Sequence, residues 1–227
     1  MKYFLPMIVL LTLSLTGVQA AHHAKKPSVK PPKGFVALFD GKSFDGWFTS
    51  AGNMRETWSV DSESGVLART LRNVYIWTDK AYRDFILDLE YKLSRRCNSG
   101  VFIRSDPQNP VQGGFEIQLY DDNQPSSDKH SHGSLYDAQA PSSQPAKKVG
   151  EWDKMRIRVK GDLIGVWING TQVIQADLSE WTTAQKNPDG TKNKFKTALN
   201  DLPKTGHIGF QDHGRNVAFR NIFLKQL

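Results

Sequence analysis

The sequence predicts an all-β fold, a sandwich or barrel of antiparallel strands. Short runs in which apolar and polar residues alternate recur from Phe35 to the C-terminus, and clusters of Gly, Pro, Asn and Asp separate them. A helical period is almost missing, and only Leu178 to Ala184 would support a helix. About ten short strands at this spacing fit a sandwich or barrel.

In chain order the strand candidates are FVALF (35–39), TWSV (57–60), GVLAR (65–69), DFILDLEYKL (84–93), GVFIR (100–104), GFEIQLY (114–120), KMRIRVKG (154–161), IGVWING (164–170), HIGFQ (207–211) and VAFRNIFLKQL (217–227). Asn169-Gly170 is the dipeptide that a type I′ turn favours, so Ile164 to Gln175 reads as a hairpin. In 84–93 the alternation buries Phe85, Leu87, Leu89, Tyr91 and Leu93, with Asp88, Glu90 and Lys92 on the opposite face. In 114–120 it buries Phe115, Ile117 and Leu119 and leaves Glu116, Gln118 and Tyr120 on a polar face. If these two strands are neighbours, Glu90 lies near Glu116 and Gln118.

The chain opens MKYFLPMIVLLTLSLTGVQA, with basic Lys2, an apolar run over Ile8 to Leu15 and small residues before Ala21. This is the pattern of a cleaved secretory signal, too short for a stable membrane span. Residues 21–33 follow as a Pro/Lys-rich tether, and residues 34–227 as one domain. The expected location is the periplasm or the extracellular space. A single cysteine, Cys97, allows no intramolecular disulfide even there, so stability rests on a core. With 38% hydrophobic and 11% aromatic residues in 227, the chain is rich enough to build one.

The formal charge is +7, from 30 basic and 23 acidic residues. Much of the excess falls in KKPSVKPPK (25–33), Lys147 with Lys148, and KNPDGTKNKFK (186–196), which read as solvated loops or linkers. None carries the interleaved aromatics of a single-strand binding groove, so nucleic acid is not an expected partner. His130, Ser131 and His132 lack zinc-site spacing, and no acidic loop demands calcium, so no metal and no cofactor are expected. Serine elbows, phosphate loops and dinucleotide fingerprints are absent.

Several segments resemble the 3-keto-disaccharide hydrolase domain family, formerly a domain of unknown function. They are LFDGKSFDGW (38–47), WSVDSESGVL (58–67), DFILDLEYKLSRRCNSGVFIR (84–104), GFEIQLYDD (114–122), GSLYDAQAP (133–141), GEWDKMRIRVKG (150–161) and GHIGFQDHGRNVAFRNIFLKQL (206–227), in order along nearly all of the mature chain. The resemblance implies a concanavalin A-like jelly roll of two antiparallel sheets, a carbohydrate substrate and cleavage of glycosides oxidised to a ketone at carbon 3. Such a ketone acidifies the hydrogen on carbon 2, and loss of that proton can expel the group on carbon 1. The site then needs a base at carbon 2, donors for the enolate oxygen and an acid for the leaving oxygen. Asp153 stands where the family commonly has Asn, which leaves its role open.

Glu116 is the first candidate for the base, since apolar strand neighbours would raise its pKa; the rival is a solvated or ion-paired glutamate. The resemblance favours the base. Gln118 and Tyr120 share its face and suit sugar hydroxyls, with Asn98 and Glu90 as further contacts. Arg104 offers a planar fork to the ketone oxygen, unless it pairs with Glu116 or Glu90. His213, in QDHG, is a candidate acid for the leaving group, with Asp212 orienting it. Tyr136 and Trp152 are candidate stacking walls, although aromatics in strands more often belong to a core.

Two other functions compete. EIQLYD (116–121) superficially resembles the Glu-x-Asp-x-x-Glu strand of retaining laminarinase-like glycosidases, but Gln118 replaces the middle carboxylate and an offset of five puts Glu116 and Asp121 on opposite faces. The other is a noncatalytic carbohydrate-binding module, since this fold serves both purposes.

Overall fold

The structure, a computed structural model, describes residues 30–49, 51–70, 74–121 and 127–227. The expected signal segment and most of the tether fall outside the described residues. The chain forms two antiparallel sheets packed face to face. One has eight strands, in the order β11 (Thr171–Asp177), β10 (Leu163–Ile168), β9 (Asp153–Lys160), β6 (Phe85–Leu93), β13 (Val217–Gln226), β4 (Val66–Arg69) and β3 (Trp58–Asp61), with β1 (Val36–Ala37) also paired to β13. The other has five, in the order β2 (Trp47–Thr49), β5 (Ile76–Tyr82), β12 (Gly206–Phe210), β7 (Asn98–Ser105) and β8 (Phe115–Tyr120).

The core lies between the sheets. Strand β6 alternates buried and half-buried residues along its whole length, so its apolar face meets Val101 and Ile103 of β7 and Ile117 of β8 in one cluster. Aromatic stacking links the sheets directly: the Phe210 ring of β12 lies 4.1 Å from that of Phe219 on β13, and Trp47 of β2, in the same sheet as Phe210, stacks on it at 5.4 Å. Burying each such side chain contributes on the order of 1.5–3 kcal/mol, which a chain without a disulfide needs. The predicted hairpin turn is present, with Asn169 at φ 50° and Gly170 at φ 86° joining β10 to β11.

Some expectations are corrected. Leu178 to Ala184 forms only a single 3-10 turn at Leu178–Glu180, capped by Asp177, while a four-residue helix, α1, occurs instead at Met54–Thr57, capped by Asn53. Strand β5 escapes the alternation rule because its pairing with β12 slips between His207 and Gly209, leaving Thr78 to Lys80 out of register. Most consequentially, β6 and β8 are in different sheets. Glu90 therefore does not approach Glu116; it pairs with Arg220 at 2.7 Å on the eight-stranded sheet.

Candidate active site

The outer face of the five-stranded sheet carries the candidate site. Its register sets Trp77 of β5, Gly209 of β12, Phe102 of β7 and Glu116 of β8 in one row across the strands. Alternation sends these side chains away from the core. Gly209 has no side chain, and a Cβ there would stand 2.3 Å from the Trp77 ring. The two flanking rings thus close over it, with centroids 5.2 Å apart. Tyr75 packs on both, 5.4 Å from Phe102 and 6.1 Å from Trp77, and completes an aromatic platform.

One row further along, a second glycine makes room for the acid. A Cβ on Gly100 would lie 2.2 Å from Glu116 Oε1, so the carboxylate rests over that glycine. Gln118 is the cross-strand partner of Gly100 on one side, and the Gln211 backbone N–H donates to the Gly100 carbonyl on the other. Glu116, Gln118 and Gln211 therefore surround the space that a side chain at position 100 would fill.

Apart from Tyr120 at its end, the polar face of β8 does not meet bulk water. Residues 133–136 run along its free edge, where the Gly133 N–H donates to the Gln118 carbonyl at 2.8 Å and the Tyr136 N–H to the Glu116 carbonyl at 2.9 Å. Glu116 is only 7% exposed and Gln118 4%. Burial pushes the Glu116 carboxyl up to about 7, against the opposing pull of the Lys194 ammonium and a hydrogen bond from Gln211. Lys194 lies over the Tyr136 ring at 4.3 Å, and its own burial lowers its pKa while the charges of Glu116 and Asp137 act the other way. The Gln211 amide also donates to the Tyr75 hydroxyl at 3.4 Å.

Three buried polar atoms on this face, Gln118 Oε1, Gln211 Oε1 and Trp77 Nε1, have no hydrogen-bond partner. Unpaired buried groups are costly. Two acceptors and a donor around an acid are what the hydroxyls of a polyol would satisfy. No trio of His, Cys, Asp or Glu side chains among the described residues has the arrangement of a metal site.

The predicted residues divide. Glu116 and Gln118 are at the centre, Asn98 adjoins them through a 3.4 Å contact with Gln118, and Tyr136 flanks Glu116 beyond the edge of β8. Tyr120 continues the row at its open end, opposite Asn98. His213 is exposed and lines a neighbouring cleft with Tyr75, while the Asp212 carboxylate is held by Arg69 at 2.7 Å and the Gly214 N–H at 2.8 Å.

Arg104 does not join them. Strict alternation would put it beside Phe102 and Gly100, but it is the extra residue of a bulge in β7 with φ 49°. Its guanidinium is spent on the Arg83 carbonyl (2.7 Å), the Gly161 carbonyl (2.8 Å) and Asp84 (2.8 Å). Trp152 is likewise elsewhere, beneath Arg220 and Lys92. Asp153 accepts from the Lys147 N–H and from Asn169, which ties a loop to the hairpin turn.

Sequence reasoning missed Lys194, Gln211, Tyr75, Trp77 and Phe102. Gly100 and Gly209, inside strand-like runs, were the available signal, because an isolated glycine in a strand marks a close approach. Lys194 gave none, since KNPDGTKNKFK has the composition of a solvated loop.

A sheet sandwich with a buried acid among amides and aromatics on one outer face fits the class of carbohydrate-active proteins. Residues 34–225 match the model of the 3-keto-alpha-glucoside-1,2-lyase-like domain, and the chain belongs to that family. It is 30% identical to a 3-keto-disaccharide hydrolase from Bacteroides thetaiotaomicron, over 86% of this chain and 79% of that protein. Among solved structures it is similar to two candidate glycosyl hydrolases from Parabacteroides distasonis. One is 33% identical with a TM-score of 0.76, covering 85% of this chain and 99% of the other; the second is 26% identical with a TM-score of 0.71, covering 86% and 94%. The fold is the concanavalin A-like jelly roll.

Proposed function

We propose that the protein cleaves glycosides whose sugar carries a ketone at carbon 3, with Glu116 as the base that takes the proton from carbon 2. The observation that carries this reading is the carboxylate over Gly100, buried and raised to about 7. A base with that proton affinity is matched to work near neutral pH. As carbon 2 loses its proton, negative charge develops on the ketone oxygen, and the Lys194 ammonium is the cation available to that charge. Gln118, Gln211, Asn98 and Trp77 Nε1 hold the sugar hydroxyls, and Tyr136 fixes the ammonium. Expulsion of the group on carbon 1 leaves a double bond between carbons 1 and 2, and addition of water across it completes a net hydrolysis. This sequence accommodates both the lyase in the family's description and the hydrolase in the relative's name. In the same reading, residues 1–20 export the chain and the reaction takes place in the periplasm or outside the cell.

A two-carboxylate glycosidase is less well supported. Asp121 is drawn to the end of β8 by the Arg96 N–H at 2.6 Å, and the charged group that acts on Glu116 is a lysine. The test is incubation of purified protein with 3-keto-trehalose, 3-keto-sucrose and their unoxidised parents. Sugar release from the keto forms alone is the expected result. Release from the parents would favour an ordinary glycosidase, and binding without turnover a lectin.

A further inference from the structure

Beside the Glu116 site opens a second cleft of about 370 Å³, walled by Ala51, Val74, Pro107, Pro110 and His213, and it shares Tyr75 with that site. Its size falls in the range of small-ligand pockets, about 300–1,000 Å³. Tyr75 is the partition. Its ring is fixed on Phe102 and Trp77, and its hydroxyl takes a hydrogen bond from the same Gln211 amide that reaches Glu116. The Tyr75 hydroxyl thus stands between Glu116 and the adjoining cleft, where the glycosidic oxygen would lie for a substrate with carbon 2 at Glu116 and its leaving group in that cleft.

From this geometry we infer that the cleft receives the aglycone and that the Tyr75 hydroxyl is the acid that protonates the departing oxygen. The inference rests on the keto-glycoside reading above. The step balances as follows. Glu116 takes the proton from carbon 2, the electron pair forms the double bond between carbons 1 and 2, the bond from carbon 1 to oxygen breaks, and the Tyr75 O–H proton goes to that oxygen. The aglycone leaves as an alcohol. The Glu116 proton exchanges with solvent while the aglycone departs; when water adds, its oxygen bonds to carbon 1, its proton returns to the Tyr75 phenolate, and Glu116 delivers a solvent-derived proton to carbon 2. Both groups end as they began.

The other polar groups of the cleft are less suited. Asp212 Oδ1 is held by Arg69 and the Gly214 N–H, and His213 is exposed on its loop. Tyr75 keeps its proton at neutral pH, because burial and the nearby Glu116 charge both raise its pKa.

The experiment compares Tyr75→Phe with wild type on two substrates, a 3-keto-disaccharide, whose leaving alcohol needs a proton, and p-nitrophenyl 3-keto-glucoside, whose leaving group does not. The variant keeps the ring that packs on Phe102. The expected result is a loss of about 100-fold or more in kcat on the disaccharide, the lower end of general-acid contributions, and little loss on the nitrophenyl substrate. A similar loss on both, or the same split in His213→Asn instead, would overturn the assignment. A check independent of the fold of any variant is the wild-type rate across aryl aglycones of graded acidity: a shallow dependence supports an enzymic acid, a steep one refutes it. A wild type inactive on both substrates overturns the keto-glycoside reading and this one together, whereas an active wild type with equal losses in the variant overturns this one alone.

Discussion

Glu116 shows how a single burial ties activity to stability. The carboxyl has an ordinary value of 4.5 in the open chain and about 7 in the folded one. Between those values the folded state holds a proton that the unfolded state has released, so stability is greatest below about 4.5 and falls as pH rises through about 7. The full cost above that range is on the order of 3 kcal/mol, at about 1.4 kcal/mol per unit. Glu116→Gln keeps the shape and removes the charge. Its melting temperature should exceed that of wild type by several degrees at pH 8 and match it at pH 4.5; equal melting at pH 8 would contradict the burial argument. In wild type, kcat/KM on a keto-glycoside should rise through about pH 7 as the base is freed, and a flat profile from pH 5 to 8 would count against Glu116. At this scale the sequence was informative where side chains sit on regular strands. The alternation in GFEIQLY exposed Glu116 and Gln118, whereas Lys194 and Tyr75 come from irregular segments whose placement no period encodes.

Among the elements, β7 does two jobs with two irregularities. Gly100 opens the space over which Glu116 sits, and the bulge at Arg104 turns a cation away from that face to clamp the β5–β6 and β9–β10 turns. Gly100→Ala should displace the carboxylate by about an ångström or more and lower kcat by about 100-fold, with circular dichroism unchanged. Retained activity would show that the space over Gly100 is not where the acid works. Arg104→Ala should act in the opposite sense, costing about 2–3 kcal/mol in urea denaturation while leaving kcat of the folded enzyme within about 3-fold. A large fall in kcat at unchanged stability would return Arg104 to the chemistry. Alternation alone placed this arginine beside Glu116, because a bulge reverses the phase and leaves no mark in the sequence GVFIRS.

For the molecule as a whole, the two sheets divide the labour. The fold class was legible because alternation and turn residues act locally, and the jelly roll followed from the ordered motifs from Leu38 to Leu227. Which strands share a sheet was not legible, since β6 and β8 have the same pattern and yet lie on opposite layers. That separation, together with residues 133–136 along the edge of β8 and the Tyr75, Trp77 and Phe102 rings, makes a half-buried site out of a face that would otherwise be wet.

The central claim is that Glu116 removes the proton from carbon 2. Turnover of 3-keto-trehalose in deuterium oxide, followed by NMR of the released keto-sugar, tests it most directly. Elimination and rehydration should place solvent deuterium at carbon 2 of the product in wild type, well above the exchange of an enzyme-free control, and Glu116→Gln should abolish both release and incorporation. Product that keeps its original hydrogen at carbon 2, or a Glu116→Gln enzyme that still incorporates deuterium at the wild-type rate, would contradict the account.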